Sequence, residues 1–227
     1  MRKLTVLAVP LLLLWSAAGA QADAVQVGAF TGSDSIDWSQ LPLDGQASPQ
    51  TVTSAGGNSV DVTSNAPDQS NGLYRFEENT NFIGNFALGE DGIGVSEGQA
   101  GETITLDFLT PVTGVGAQIQ PDIYGNFTAE LRLFSAGNVL IGGGPFTVTG
   151  ALFGTQDNSN PFLGAVSDSA NITRAVFAII AHDSGLAQPG VFISGLQIDP
   201  TVPEPVSLSL LGLGLAGYAI RRRRAVR

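Results

Sequence analysis

The stretch Thr103-Ile104-Thr105-Leu106-Asp107-Phe108 decides the fold: Ile104, Leu106 and Phe108 alternate with Thr103, Thr105 and Asp107. A period of two places one set on a buried face and the other in water, which is the pattern of a half-buried strand and not of a helix. The next two segments repeat it. In Gly114 to Gln120, Val115, Ala117 and Ile119 alternate with Gly116, Gln118 and Gln120; in Phe127 to Leu133, Phe127, Ala129, Leu131 and Leu133 alternate with Thr128, Glu130 and Arg132. Thr110-Pro111, Asp122 to Gly125 and Ala136 to Asn138 supply the turns between them. The pattern predicts antiparallel strands with one wet face, so that Gln118 and Gln120 point to solvent.

Outward from this centre the signals continue. Val139 to Ile141 and Phe146 to Val148 flank Gly142-Gly143-Gly144 as a predicted hairpin. Pro161 to Val166, Ile172 to Ala181 and Val191 to Ile198 read as strands, and the nearly continuous apolar run of Ile172 to Ala181 predicts a central one. Towards the N-terminus, Val25 to Phe30 and Leu73 to Glu77 read as strands, and Ile36 to Leu41 as part of an edge region. Ser59 to Ser64 is the one strand expected in the turn-rich stretch before Ser70. Gly84 to Gly94 reads as a loop with an Asp91-Gly92 turn. Nine to eleven short strands with tight turns predict an all-β, antiparallel two-sheet sandwich of jelly-roll type.

Composition agrees. The chain has 227 residues, 29 of them glycine and none cysteine, so its stability rests on its core without disulfides or thiolate metal sites. Between Asp23 and Val202 stand 19 acidic residues against Arg75, Arg132 and Arg174, a formal charge of −16. Such a surface repels nucleic acid and anionic membranes.

The remaining cations sit in the two ends. Met1-Arg2-Lys3, the apolar Leu4 to Trp15 and the small residues up to Ala22 form a secretory signal peptide, predicted to be cut after Ala22, with a cut after Ala20 as the second site. At the other end, Val202-Pro203-Glu204-Pro205 is a stiff proline-flanked peptide. It is followed by fifteen mostly apolar residues, Val206 to Ile220, and by Arg221, Arg222, Arg223 and Arg224. As a helix the run would measure roughly 22 Å against a hydrocarbon core of about 30 Å, and the arginines would hold its end in the cytoplasm. The domain division expected is 1–22 signal peptide, 23–200 ectodomain and 201–227 sorting signal, with a transmembrane span at 206–220 and a basic tail at 221–227.

This three-part tail resembles the PEP-CTERM sorting signal of Gram-negative bacteria that make extracellular polysaccharide. The resemblance implies export through the Sec machinery, a transient stay in the inner membrane, and cleavage at Val202 to Pro205 by the membrane protease exosortase. Delivery to the cell surface or an exopolysaccharide matrix follows from it. The ectodomain also resembles a group of PEP-CTERM surface proteins through Ile36 to Trp38, Gly84 to Ala87, Gly116 to Gln120 with Tyr124 to Ala129, and Phe162 to Asp168. That group brings no established activity and implies a galactose-binding-like or similar jelly roll.

Chemistry is harder to place. His182-Asp183-Ser184 holds three triad residue types in a row, but adjacent residues cannot meet in triad geometry, and a turn after a strand is the reading. Gly212-x-Gly214-x-x-Gly217 lies in the apolar tail without a preceding strand, outside any dinucleotide-binding context. Glu77-Glu78 and Glu90-Asp91 are carboxylate pairs of the type a glycan hydrolase needs, though sequence spacing alone does not set them across a substrate. Oxygen-rich loops make Asp122, Asp157 and Asp168 the candidate ligands for Ca²⁺. For a carbohydrate-binding surface, Tyr124 is the candidate platform with Gln118 and Gln120 as planar partners. The function expected is a non-enzymatic surface or matrix protein, with a carbohydrate-binding module as the alternative and a hydrolase behind both.

Overall fold

A computed structural model of the chain describes residues 23–43, 48–65, 72–95, 102–184 and 189–199. The expected signal peptide (1–22), the sorting peptide Val202 to Pro205, the span 206–220 and the arginines Arg221 to Arg224 lie outside the described residues. Among the described residues no helix is long and apolar enough to cross a membrane.

The strands are β1 (Ala24–Val27), β2 (Asp34–Ser35), β3 (Gln50–Thr53), β4 (Ser59–Ser64), β5 (Tyr74–Glu77), β6 (Asp91–Val95) and β7 (Thr103–Val112). They continue with β8 (Gly114–Pro121), β9 (Gly125–Ser135), β10 (Val139–Leu140), β11 (Phe146–Leu152), β12 (Phe162–Ser167), β13 (Ile172–His182) and β14 (Val191–Asp199). They form two antiparallel sheets. The first sheet runs β1-β12-β8-β14-β6-β5 with β2 beside β14; the second runs β10-β9-β13-β7-β4-β3 with β11 beside β9. Ile104, Leu106, Leu131, Leu133 and Phe177 of the second sheet are fully buried in one core with Val115, Ile119, Ile193 and Leu196 of the first. This is the predicted two-sheet sandwich, and β13 is central, between β9 and β7, as its apolar run requires.

Several local expectations change. The strands β7, β8 and β9 do not pair with one another: the chain crosses from the second sheet to the first and back. Asp91–Val95 is a strand and not a turn, because Gly92 and Gly94 lie under the rings of Phe76 and Phe192, where a Cβ would come within 2.2 and 2.4 Å of them. The predicted hairpin between Val139 to Ile141 and Phe146 to Val148 is absent. Both segments pair instead with β9, Val139 opposite Ser135 and Phe146 opposite Leu131. Gln50–Thr53 is a strand that the surrounding turn residues concealed. After β2 the chain forms a single 3₁₀ turn, Trp38–Gln40, whose N-cap Asp37 accepts the Ser39 N–H; Trp38 is buried in the core.

Around β5, β6 and β14 the first sheet is covered on both faces. A second apolar cluster of Phe76, Phe86 and Phe192, with Tyr74 and Phe82 packed against it, lies on its outer side. Gln120 is therefore fully buried, and the wet face predicted for it does not exist there. Both ends of the sandwich meet at one end of this sheet: Ala24 pairs with Ser167, and Gly114 lies between Val166 and Asp199.

Candidate functional site: a groove on the outer face of the first sheet

The alternation of glycine with apolar residues in the first sheet builds a floor. A Cβ on Gly116 would meet the Phe162 ring at 2.5 Å, and one on Gly164 would meet it at 2.6 Å, so the ring of Phe162 sits directly on the two backbones. Phe30 meets Phe162 edge-on, with centroids 5.6 Å apart. Beside them an open groove of about 570 Å³ is lined by these rings and by Glu90, Gln118, Asn158, Asn160, and further by Gly195 and Gln197. The size suits a sugar or a comparable small ligand.

Its rim is a loop, residues 153–160, held in an unusual shape. Gln156 and Asn158 have φ of 53° and 61°, in the left-handed region that non-glycine residues seldom adopt. Asn85 ties down the residues on either side of them, and the Gly84 carbonyl accepts the Gln156 N–H at 3.0 Å. The Asn85 Oδ1 accepts the N–H groups of Phe153, Gly154 and Thr155 at 3.1, 2.8 and 3.1 Å, and its Nδ2 donates to the Ala151 carbonyl and to Ser159 Oγ. Asn85 is fixed in turn by Gln120, whose Oε1 accepts the Asn85 N–H at 2.9 Å, and Gly84 is fixed by Glu78, which accepts its N–H at 2.7 Å. Burial pushes the Glu78 carboxyl up from its ordinary value. Hydrogen bonds from Gly84, Gln156 and Phe86 oppose that rise, and the nearby Glu90 charge adds to it.

Within the groove, Gln118 Nε2 donates to Asn158 Oδ1 at 2.6 Å, tying β8 to the rim. Glu90 Oε2 accepts the Ala87 N–H at 3.2 Å, and its Oε1 lies 2.7 Å from Ser194 Oγ. Gln197 accepts the Gly32 N–H. Asn160 differs from all of these: it is 6% exposed, and neither its amide oxygen nor its amide nitrogen has a hydrogen-bond partner. An unpaired buried polar group costs about 1–3 kcal/mol, and this one belongs to a residue that lines the groove.

The residues predicted from sequence are dispersed. Gln118 lines the groove, Gln120 lies beneath the loop that supports it, and Tyr124 stands 60% exposed on the turn after β8, against Gly154. Asp122 accepts the Gly190 N–H. Asp157 caps its own loop through Ser159 and Thr155, which hold its carboxyl below the ordinary value. Asp168 is exposed at the end of β12. Among the described residues no three His, Asp or Glu side chains converge as a metal site. His182 donates from Nε2 to the Ile123 carbonyl while Nδ1 faces Ser184, so the triad letters form a turn, as expected.

The sequence alone does not single out Phe30, Asn160 or Gln197; it marks Glu90 only as half of a carboxylate pair and Phe162 only as the start of a resemblance block. The blocks Gly84 to Ala87, Gly116 to Gln120 and Phe162 to Asp168 were the available signal, because all three converge on this groove or its supports.

The family model of the PEP-CTERM protein-sorting motif matches residues 201–224, so the chain carries the mark of an exosortase substrate. No curated protein matches the sequence. Among solved structures the chain is similar to CsCBM6-3 from Clostridium stercorarium in complex with cellobiose, at 16% identity over 77% of this chain and 100% of that one, with a TM-score of 0.36. It is similar to TmCBM61 in complex with β-1,4-galactotriose, at 15% identity over 69% of this chain and 91% of that one, TM-score 0.35. A third similarity is to the enzymatically active domain of bacteriophage CBA120 tailspike protein 4, at 9% identity over 79% of this chain and 19% of that one, TM-score 0.33. Likeness at this level leaves the ligand to be argued from the chain's own residues.

Proposed function

We propose that this PEP-CTERM protein is an exported surface or matrix protein whose sandwich, of jelly-roll and galactose-binding-like type, holds polysaccharide without turning it over. The N-terminal signal delivers it through Sec; the 206–220 span, with Arg221 to Arg224 inside, holds it in the inner membrane until exosortase cuts within Val202 to Pro205. The sorting motif supports this route.

The binding half of the reading is carried by Asn160, a buried amide with two unused hydrogen-bonding ends in the wall of a groove that also offers the Phe162 ring and the Gln118 amide. Sugars present that mixture of apolar ring face and hydroxyl edge. Binding without hydrolysis is supported by the lining: Glu90 is its one carboxyl group among the described residues, and general acid–base cleavage of a glycoside uses two.

Affinity electrophoresis through gels containing individual polysaccharides tests the proposal. Retardation by at least one of them, lost in Asn160→Leu while the melting temperature stays within a few degrees, is the expected result. Migration unaffected by every polysaccharide, or retardation that Asn160→Leu leaves intact, overturns it.

A further inference from the structure

We infer that the groove is built for a hexosamine unit carrying a free amino group, a reading that rests on the glycan proposal and narrows it. The floor of the groove is broken at Gly195, where φ is 56° and the register of β14 shifts between Ser194 and Gln197. A Cβ at this position would lie 3.1 Å from Glu90 Oε1 and 3.8 Å from Gln118 Oε1. With no side chain at Gly195 the space beyond that position stays free, and these two acceptor oxygens border it. Gln118 has committed its nitrogen to Asn158, so the end it turns toward Gly195 is the carbonyl.

No lysine or arginine lines the groove among the described residues, and the domain's arginines are engaged elsewhere: Arg75 with Asp91, Arg132 with Glu130 and Arg174 with Asp107. Among the described residues Glu90 thus receives the Ala87 N–H and at most a share of the single Ser194 hydroxyl proton, which also faces the Asp91 carbonyl at 2.6 Å; neither donor is charged. A carboxylate accepts about four hydrogen bonds, and a charged donor forms the stronger kind. An ammonium group brings three donors and the missing positive charge. A sugar hydroxyl brings one donor and no charge, and a uronate meets Glu90 and a domain of charge −16 with repulsion. The amino-sugar ring then rests its apolar face beside Phe162.

The test is isothermal titration of the purified full-length protein with hexamers of β-1,4-glucosamine, its N-acetylated form, β-1,4-glucose and a uronate, and with an oligolysine of equal charge. The glucosamine hexamer should bind about tenfold more tightly than the acetylated and neutral ones, the margin of one charge-assisted hydrogen bond. The uronate should not bind, and the margin should shrink as salt rises. Glu90→Gln should bring the amino glycan down to the neutral one, while Asp168→Asn, a charge change away from the groove, should preserve the margin. Equal affinity for amino and neutral glycans, a margin that survives in Glu90→Gln or resists salt, or equally tight oligolysine binding would overturn the inference while leaving the glycan proposal standing. Failure of every glycan to bind removes the proposal itself, and the inference with it.

Discussion

The ring of Phe162 rests on the backbone of Gly116 in the neighbouring strand, so close that a Cβ there would come within 2.5 Å of it. Phe162 is half-buried in β12, and Gly116 is fully enclosed in β8. The pair sets the height of the groove wall, because a ring seated on bare backbone leaves space above it that a ring lifted by a side chain would fill.

Gly116→Val should therefore displace Phe162 into the groove. Overpacking of this kind costs about 1–3 kcal/mol, and in a domain of this size each kcal/mol lowers the melting temperature by about 2–4 °C. Calorimetry should show that loss and titration should show ligand binding abolished. Unchanged binding would mean that the ring does not shape the site.

The same pair shows where sequence reading reached and where it stopped. The inward set of β8, Val115, Ala117 and Ile119, was legible because apolar residues at a period of two have one physical explanation. The outward set, Gly116, Gln118 and Gln120, reads as solvated because glycine and glutamine are polar-face residues by default. They face rings and a loop supplied by distant segments: Phe162 lies over Gly116, and the Gly84-Asn85 backbone covers Gln120. Periodicity reports that a face is not part of the main core, but it does not report what covers it. Asn160 was hidden for a related reason, since an asparagine in an Asp-Asn-Ser-Asn loop reads as an exposed turn residue until its neighbours are known.

Asn85→Ala should release the 153–160 rim. Three backbone N–H groups would lose their shared acceptor, and even allowing for water replacing part of it the cost should be about 2–3 kcal/mol. Hydrogen exchange at Phe153, Gly154 and Thr155 should accelerate, while exchange in β13 stays slow. Uniform acceleration across the whole sandwich would show that Asn85 supports the core and not the rim alone.

Glu78→Gln should make stability less dependent on pH. Because burial raises the folded-state value of Glu78, its contribution is fully present below the unfolded value of about 4.3 and is lost as pH rises through the folded value. The variant, neutral throughout, should melt higher than the parent at pH 7, and the gap should close as pH falls below about 4. A variant that melts lower at pH 7 would show that the hydrogen bonds to the ionised carboxylate outweigh its burial.

Cleavage within Val202 to Pro205 falls beyond Asp199, the last residue of β14, and leaves every described strand intact. Mass spectrometry of the protein recovered from the cell surface should find a C-terminus in that window, and Glu204→Ala should leave Arg227 attached. Surface material that retains Arg227 in the parent chain would contradict processing.

A ligand seated in the outer groove of the first sheet registers in the side-chain amide NMR signals of the groove's own residues. Titration with the bound oligosaccharide should move the Asn160 and Gln118 amide signals along one saturable curve while those of Asn138 and Asn171, away from the groove, stay in place. Saturable shifts confined to residues around Tyr124 and Phe153, with the Asn160 amide unmoved, would contradict it.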